Sequence, residues 1–117
     1  MANKVIGIAI GIHKIIGPGF IESIYAKALA YELKEAEINF NQEKVITVKY
    51  KDLLLGRHRL DFLVEDELIL EIKAIYEITK FHLAQALSYL KAADKRLALI
   101  LNFARGRLEI KRVANNF

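Results

Sequence analysis

The sequence predicts an α/β protein with a mixed β-sheet, and three observations support this fold class. Apolar residues recur at helical spacing near the start of the chain and again over Thr79–Ala93. Alternating, β-branched segments such as Lys44–Tyr50 lie between them and are typical of strands. The near-continuous apolar run Arg96–Phe103 is expected of a strand buried on both faces. Because a helix connects this strand to the preceding one, the two should pair in parallel.

Composition limits the possible classes of protein. The chain has 117 residues, a formal net charge of +4, 54% hydrophobic residues and no cysteine. This length and apolar content are typical of one domain with a single core, which we expect to span residues 1–117. The lack of cysteine excludes disulfide scaffolds, zinc fingers and cysteine nucleophiles, and makes the cytoplasm the default compartment. A mildly basic chain permits a phosphate-bearing partner without requiring one.

Two helices are predicted first. Asn3 can cap a helix that runs to Ile16, and Gly17-Pro18-Gly19 ends it because proline cannot continue a helix. Its apolar run Val5–Ile12 is too short to span a bilayer and no A-x-A-like cleavage site follows it, so we interpret it as a buried helix without a membrane role. Helical spacing of apolar residues predicts the second helix over Phe20–Ala36.

Asn39 and Asn41 mark an exit loop, after which the pattern changes to that of strands. Three strands joined by polar turns are predicted: Lys44–Tyr50, Leu53–Val64 and Leu68–Ile75. The turns are Lys51-Asp52 and Glu65-Asp66-Glu67, and the second strand is expected to bend at Gly56.

A third helix follows over Thr79–Ala93, with Thr79 as its cap. The apolar strand Arg96–Phe103 comes next, and Arg105-Gly106 turns the chain into a last strand, Leu108–Val113. The predicted element order is therefore ααβββαββ.

Three charged residues interrupt strands that otherwise consist of core residues. Asp61 lies in one such strand, and Glu71 and Lys73 lie on one face of the next. If the turn between the strands centres on Asp66, Asp61 and Glu71 lie directly opposite each other on neighbouring strands. Like charges in such opposed positions repel. Burying two carboxylates side by side is costly unless a positive charge neutralises them. A hard cation such as Mg²⁺ would do so with oxygen ligands, whereas the alternative is an ion-pair cluster with Lys73 on a half-exposed face.

Other polar residues could join this site. Glu22 shares the apolar stripe of the second helix, where it would either approach a metal or pair at the rim with Lys27 or Arg59. Gln85 and Tyr89 are four residues apart on the third helix and could project together, unless both are solvated.

The histidines show no metal-ligand spacing. His13 is expected to pack or cap within the core, His58 lies between two arginines that could bind phosphate, and His82 lies one turn from Gln85. Five basic residues are candidate phosphate contacts: Arg57, Arg59, Lys80, Lys91 and Lys95. The chain is too small to leave much room for a DNA-gripping arm, which makes a homodimer attractive.

The spacing Asp61, nine residues, then Glu71-x-Lys73 resembles the D-x(n)-E-x-K signature of the PD-(D/E)XK nuclease superfamily. Gly19-x-x-Glu22-x-x-Tyr25 resembles the motif of the small prokaryotic GxxExxY proteins, a branch of that superfamily. Leu60 stands where the superfamily motif has proline. The resemblance covers nearly the whole chain and implies a restriction-endonuclease-like core.

The resemblance also implies roles for individual residues. It makes Asp61 and Glu71 metal ligands and Lys73 the catalytic lysine, with Glu22 supporting the metal site. Gln85-x-x-x-Tyr89 is similar to the Q-x-x-x-Y motif of exonuclease-like branches.

The leading hypothesis is hydrolysis of DNA phosphodiester bonds with Mg²⁺ or Mn²⁺, while RNA remains open as a substrate. The backbone carbonyl of Ile72 is a further expected metal ligand. The residues expected to contact substrate are Tyr25, Arg59, Gln85 and Tyr89. Three alternatives are a non-catalytic nucleic-acid-binding module, a dimeric endonuclease like the Holliday-junction resolvases, and an interaction protein whose charges merely pair.

Overall fold

The computed structural model describes residues 1–116 and contains three helices and five strands. The helices are α1 (Ala2–Ile16), α2 (Glu22–Glu35) and α3 (Lys80–Ala93). The strands are β1 (Phe40–Tyr50), β2 (Leu53–Val64), β3 (Leu68–Lys73), β4 (Leu97–Asn102) and β5 (Glu109–Ala114). The predicted α/β class and the order ααβββαββ are confirmed.

The five strands form one mixed sheet in the order β1-β2-β3-β4-β5. β3 and β4 are parallel, with Leu68 opposite Leu97, and the other neighbouring pairs are antiparallel. The predicted parallel pair across α3 is therefore confirmed. β4 is buried along nearly its whole length because α1 and α2 pack on one face of the sheet and α3 on the other.

Each face of the sheet has its own core. On one face, apolar residues of α1 and α2 pack against β2, β3 and β4, with Tyr25, Phe62 and Phe103 among the fully buried side chains. On the other face, Ala86 and Leu90 of α3 pack against the same strands. The period-two alternation of β3 places Leu70 and Ile72 on the first face and Ile69 on the second.

The β1–β2 hairpin extends beyond the rest of the sheet. β2 pairs with β3 only through Phe62–Val64, whereas it pairs with β1 along nearly its full length. Residues 44–60 therefore form a two-stranded ribbon, one face of which packs against α3 through Ile46 and Leu60. The predicted bend at Gly56 lies beside a β-bulge, because the partner of Val48 is Gly56 and that of Lys49 is Leu54.

Two predictions about the helix starts were wrong. Asn3 is not a cap, because α1 begins at Ala2 and the Asn3 Oδ1 accepts a hydrogen bond from Arg112 Nη2 at 2.8 Å. α2 begins at Glu22 rather than Phe20, because the chain leaves Gly19 in an extended conformation through Ile21, where φ is −74° and ψ is 160°. Gly17 and Gly19 have φ of 77° and 110°, the left-handed region that glycine adopts readily.

Two strand boundaries also differ from prediction. β1 begins at Phe40, so Asn41 belongs to the ladder opposite Leu63 and not to an exit loop. β3 ends at Lys73 rather than Ile75, because the Asn102 side chain bonds both the N–H and the C=O of Ile75. None of the helices in residues 1–116 has the length and apolar character needed to cross a membrane.

Candidate active site

The candidate site lies where β2 and β3 diverge. The two strands pair through Val64↔Leu68, Leu63↔Ile69 and Phe62↔Leu70, so the hairpin centres on Asp66 as the sequence predicts. The next positions along this register are Asp61 and Glu71. Beyond the last backbone pair, Phe62↔Leu70, the two strands are connected through the side chains of these two residues.

The two carboxylates bond reciprocally to the opposite strand. The backbone N–H of Ile72 donates to Asp61 Oδ2 at 2.7 Å, and the backbone N–H of Asp61 donates to Glu71 Oε2 at 3.0 Å. Each strand thus supplies a donor to the carboxylate of the other. These hydrogen bonds fix both carboxylates at the point where β2 and β3 begin to separate.

Burial raises the pKa of both acids. Desolvation is the largest cause at Asp61, opposed by the hydrogen bond from Ile72 and the charge of Lys73. At Glu71, which is only 6% exposed, desolvation followed by repulsion from Asp61 raises the pKa to about 7. The protein alone therefore leaves this pair short of positive charge, the condition in which a bound cation is favourable.

Lys73 supplies part of that positive charge. It is half-buried on β3, and its charge lowers the pKa of both Asp61 and Glu71. Within residues 1–116 its ammonium group makes no hydrogen bond or ion pair with another side chain. The expected alternative, a tight ion-pair cluster of these three residues, is therefore not formed.

Glu22 reaches the site from α2, although not as predicted. It is exposed and lies at the first residue of the helix, so the core-facing stripe begins at Tyr25 rather than at Glu22. Its Oε2 accepts a hydrogen bond from the backbone N–H of Ala74 at 3.2 Å, and its charge raises the pKa of Asp61. The rim pairing with Lys27 or Arg59 is not formed in residues 1–116.

A cleft of about 350 Å³ lies between α2, β1 and the diverging strands. It is open to solvent, and its wall combines three of the predicted site residues with polar groups that sequence analysis did not single out. The lining residues are Glu22, Ser23, Ala26, Lys27, Gln42, Glu43, Asp61, Phe62 and Ile72. Ser23, Gln42 and Glu43 could have been identified only from the tertiary structure, because nothing in their local sequence distinguishes them.

Tyr89 approaches the carboxylates from α3. Its ring stacks on His58 with the centroids 3.9 Å apart, and desolvation together with the charges of Glu71 and Asp61 raises its pKa to about 12. His58 is half-buried, and desolvation lowers its pKa. Gln85 lies one turn earlier on α3 and is half-buried. The structure thus places Tyr89 near the acids and adds His58, whose only sequence signal was its position between two arginines.

None of the four predicted substrate contacts lines this cleft, since Gln85 and Tyr89 lie on α3 and Tyr25 and Arg59 lie elsewhere. Tyr25 is fully buried, stacks on Phe103 at 4.5 Å, and donates its hydroxyl to the Gly17 carbonyl at 2.7 Å. It therefore holds the connection between α1 and α2 in place. Arg59 is exposed on β2, opposite Val45 on the ribbon.

The remaining histidines have structural contacts. His13 is buried, and its Nε2 lies 2.8 Å from the Arg105 carbonyl oxygen, as expected for a packed core histidine. His82 Nδ1 accepts a hydrogen bond from the backbone N–H of Thr79, the residue that caps α3 as predicted.

Asn102 is a buried polar residue that the sequence analysis did not assign to the site. It is fully buried at the end of β4, and its side chain holds the segment after Lys73 through two hydrogen bonds to Ile75. Its Nδ2 also donates to Glu109 at 2.9 Å. An asparagine within an otherwise apolar strand was the signal that could have identified it.

The available ligands suit a hard divalent cation. No group of three or more His, Cys, Asp and Glu side chains within residues 1–116 could hold a metal ion. The candidate ligands are therefore two carboxylates, Asp61 and Glu71, and the carbonyl of Ile72. Mg²⁺ is commonly bound through one or two carboxylates and completes its shell with water, so this set fits such an ion. The structural observation that supports the fit is that two adjacent carboxylates, each held by a backbone N–H of the opposite strand, have no cation paired with them within residues 1–116.

Comparison with known proteins places this arrangement in context. The model of a protein family described as the PD-(D/E)XK nuclease superfamily matches residues 1–113. Among solved structures, SSO0001 superposes with a TM-score of 0.66 at 15% identity over 82% of this chain. An alkaline exonuclease from Laribacter hongkongensis superposes with a TM-score of 0.57 at 13% identity over 80% of this chain.

The chain corresponds to about half of each of these two structures, 51% of the first and 55% of the second. At these identities the likeness establishes the fold. No curated protein sequence matches the chain.

Proposed function

Since the chain belongs to the PD-(D/E)XK nuclease superfamily, we propose that it is a metal-dependent nuclease that hydrolyses phosphodiester bonds in DNA. One observation carries the proposal: Asp61 and Glu71 exchange hydrogen bonds across diverging strands and remain short of positive charge. Gly19, Glu22 and Tyr25 further support assignment to the GxxExxY branch.

Asp61 and Glu71, with the carbonyl of Ile72, would hold Mg²⁺, and Mn²⁺ could replace it. When bound, the ion supplies Lewis-acid polarisation of the phosphodiester and lowers the pKa of a water molecule. The carboxylates are fixed beforehand by the backbone N–H groups of Ile72 and Asp61, so little reorganisation is needed on binding. Glu22 adds negative charge beside this set and holds the backbone after Lys73 in place.

Lys73 is the proposed catalytic lysine. Because its ammonium is not held in an ion pair within residues 1–116, it is free to orient the attacking water or to offset charge on the phosphate. Tyr89 is protonated at neutral pH, as tyrosines ordinarily are, and its pKa, raised to about 12, keeps it so in alkaline solution. Its hydroxyl can therefore donate to a phosphate oxygen. Gln85, one turn away, is the second proposed substrate contact from α3.

A cleavage assay tests the proposal. Labelled duplex, single-stranded and branched DNA, and matching RNA, are incubated with the protein in Mg²⁺, Mn²⁺ or EDTA. We expect metal-dependent cleavage that falls at least about 100-fold in Lys73→Met and Glu71→Gln. Lys34→Met, which changes an exposed lysine near the end of α2, is the matched control and should retain activity.

The variants distinguish the proposed nuclease from a binding module. A protein that binds DNA but cleaves none of these substrates, with Lys73→Met binding equally well, would be the non-catalytic module. Cleavage that persists unchanged in both site variants would contradict the assignment of Glu71 and Lys73.

A further inference from the structure

The net positive charge of the chain is concentrated on the β1–β2 ribbon, residues 44–60. Residues 44–60 contain five of the 18 basic residues and one of the 14 acidic residues, a formal charge of +4. The other 100 residues hold 13 of each sign and are formally neutral. The net charge of the whole protein therefore lies on one projecting hairpin. Its basic residues are Lys44, Lys49, Lys51, Arg57 and Arg59, and all five are exposed.

The two faces of the ribbon differ. Ile46 and Leu60 belong to the core under α3, and His58, paired with Ile46, stacks on Tyr89. The alternate positions of the ladder point the other way. There Arg57 lies opposite Thr47 and Arg59 opposite Val45, and all four side chains are exposed.

The arginines are available for a partner. Neither Arg57 nor Arg59 makes a hydrogen bond or ion pair to another side chain within residues 1–116. Successive residues on one face of a strand are about 6.8 Å apart. Arg57 and Arg59 therefore lie in a row on β2, just before Asp61 of the candidate site. The alternation is interrupted at Asp61, because Leu60 packs under α3 whereas Phe62 packs on the opposite face of the sheet.

We propose that this ribbon binds in the major groove of double-stranded DNA, with Arg57 and Arg59 contacting phosphates, and so selects duplex DNA as the substrate. The proposal rests on the proposed nuclease function and specifies its substrate class. Paired strands lie about 4.8 Å apart, and the major groove of B-form DNA, about 12 Å wide, admits a two-stranded ribbon. The deep, narrow major groove of duplex RNA does not.

The charge of the ribbon argues against a second copy of the chain as its occupant. Its tip exposes apolar side chains, including Leu53 at 63% and Leu55 at 60%. Two such ribbons in contact would combine their net charges of +4 each, whereas the phosphate backbone of DNA neutralises this charge with release of counterions. In the groove, the apolar tip meets thymine methyl groups and base edges.

Binding in EDTA tests the proposal independently of catalysis. Fluorescence anisotropy is measured for a labelled DNA duplex, the corresponding single strand and an RNA duplex, each over a series of salt concentrations. We expect the DNA duplex to bind at least about tenfold more tightly than either of the others. In Arg57→Gln/Arg59→Gln the Kd for the duplex rises at least about tenfold, and the slope of log K against log salt falls by about 1.8, or about 0.9 for each lost phosphate contact. Arg107→Gln/Lys111→Gln, on the β5 side of the sheet, removes the same charge and leaves the slope nearly unchanged.

Hydrogen exchange of the wild-type protein provides a readout that needs no variant, and duplex DNA should protect amides of residues 44–60. Equal affinity for single-stranded DNA, or protection confined to other segments, would overturn the proposal. A dimer that dissociates in Leu53→Ser/Leu55→Ser would assign the ribbon to self-association and overturn it as well. Loss of cleavage with duplex binding intact would contradict only the proposed nuclease function.

Discussion

The Asp61 backbone N–H donates a hydrogen bond to the carboxylate of Glu71 while the Asp61 side chain repels that same carboxylate. The two effects oppose each other, and desolvation decides the balance, so the pKa of Glu71 rises to about 7. The pair is therefore held together by backbone geometry against its own electrostatics. A site of this kind favours cation binding, and it makes the stability of the metal-free protein dependent on pH.

The first prediction follows from the sign of this shift. Because folding raises the pKa of Glu71 from 4.5 to about 7, the folded state binds the proton more tightly than the unfolded state. The resulting stability is fully present below pH 4.5 and is lost as the pH rises through about 7. In EDTA, the free energy of unfolding of the wild type should fall by about 1–3 kcal/mol relative to Glu71→Gln between pH 4.5 and pH 8.

Urea denaturation at closely spaced pH values measures this difference. Glu67→Gln, in the hairpin turn, is the control and should follow the wild-type pH dependence. Saturating Mg²⁺ should reduce the pH-dependent loss in the wild type, because a bound cation stabilises the charged form. Identical pH profiles for Glu71→Gln and the wild type would show that Glu71 titrates normally.

The second prediction concerns Glu22, which bonds the backbone N–H of Ala74 just after Lys73. Glu22→Gln keeps an oxygen acceptor but removes a charge, whereas Glu22→Ala removes both. We expect Glu22→Gln to require about tenfold more Mg²⁺ for half-maximal cleavage, and Glu22→Ala to lower the maximal rate as well. Rates measured against Mg²⁺ concentration separate the two effects. A normal Mg²⁺ requirement in Glu22→Gln would show that its charge does not support metal binding.

The third prediction concerns Asn102, which is fully buried and bonds the N–H and C=O of Ile75 and the carboxylate of Glu109. Asn102→Ala leaves these groups without their partner and should cost about 2–4 kcal/mol of unfolding free energy. Asn115→Ala, which removes one hydrogen bond to the Lys95 carbonyl, should cost about 1 kcal/mol or less. Chemical denaturation compares them, and equal losses would mean that Asn102 does not anchor this segment.

Much of the fold was predictable because the spacing of apolar residues along the sequence indicates which face of each helix and strand is buried. The alternation of β2 and β3 around Asp66 predicted the hairpin register that brings Asp61 and Glu71 together. The start of β1 was not predictable in this way. Asn41 lies on an edge strand and its side chain is exposed, so a polar residue is accommodated there. For this reason its polarity was interpreted as the sign of a loop rather than of a strand.

The candidate site was predictable to the extent that charges interrupt apolar strands, as they do at Asp61 and Glu71. Contacts that depend on how separate elements pack left no such signal. The stack of His58 on Tyr89 joins β2 to α3, and the end of β3 is set by Asn102 on β4, so both depend on tertiary structure. The concentration of charge on residues 44–60 and the turn at Lys51-Asp52 were both present in the sequence. The strand pairing adds that these residues extend beyond the part of β2 that pairs with β3.

The fourth prediction separates the two contributions of Tyr89. Its ring stacks on His58 at 3.9 Å, and its hydroxyl is a protonated donor whose pKa is raised to about 12 by burial and by the charges of Glu71 and Asp61. Tyr89→Phe keeps the stack and removes the donor, so we expect wild-type stability with cleavage reduced about tenfold, mainly through a higher KM. Tyr89→Ala removes both the stack and the donor. The lost packing should cost about 2–4 kcal/mol of unfolding free energy and lower the thermal midpoint by several degrees. Thermal melts and cleavage kinetics of both variants provide the comparison. If Tyr89→Phe cleaves as well as the wild type while Tyr89→Ala does not, the hydroxyl has no substrate contact and Tyr89 acts by positioning His58.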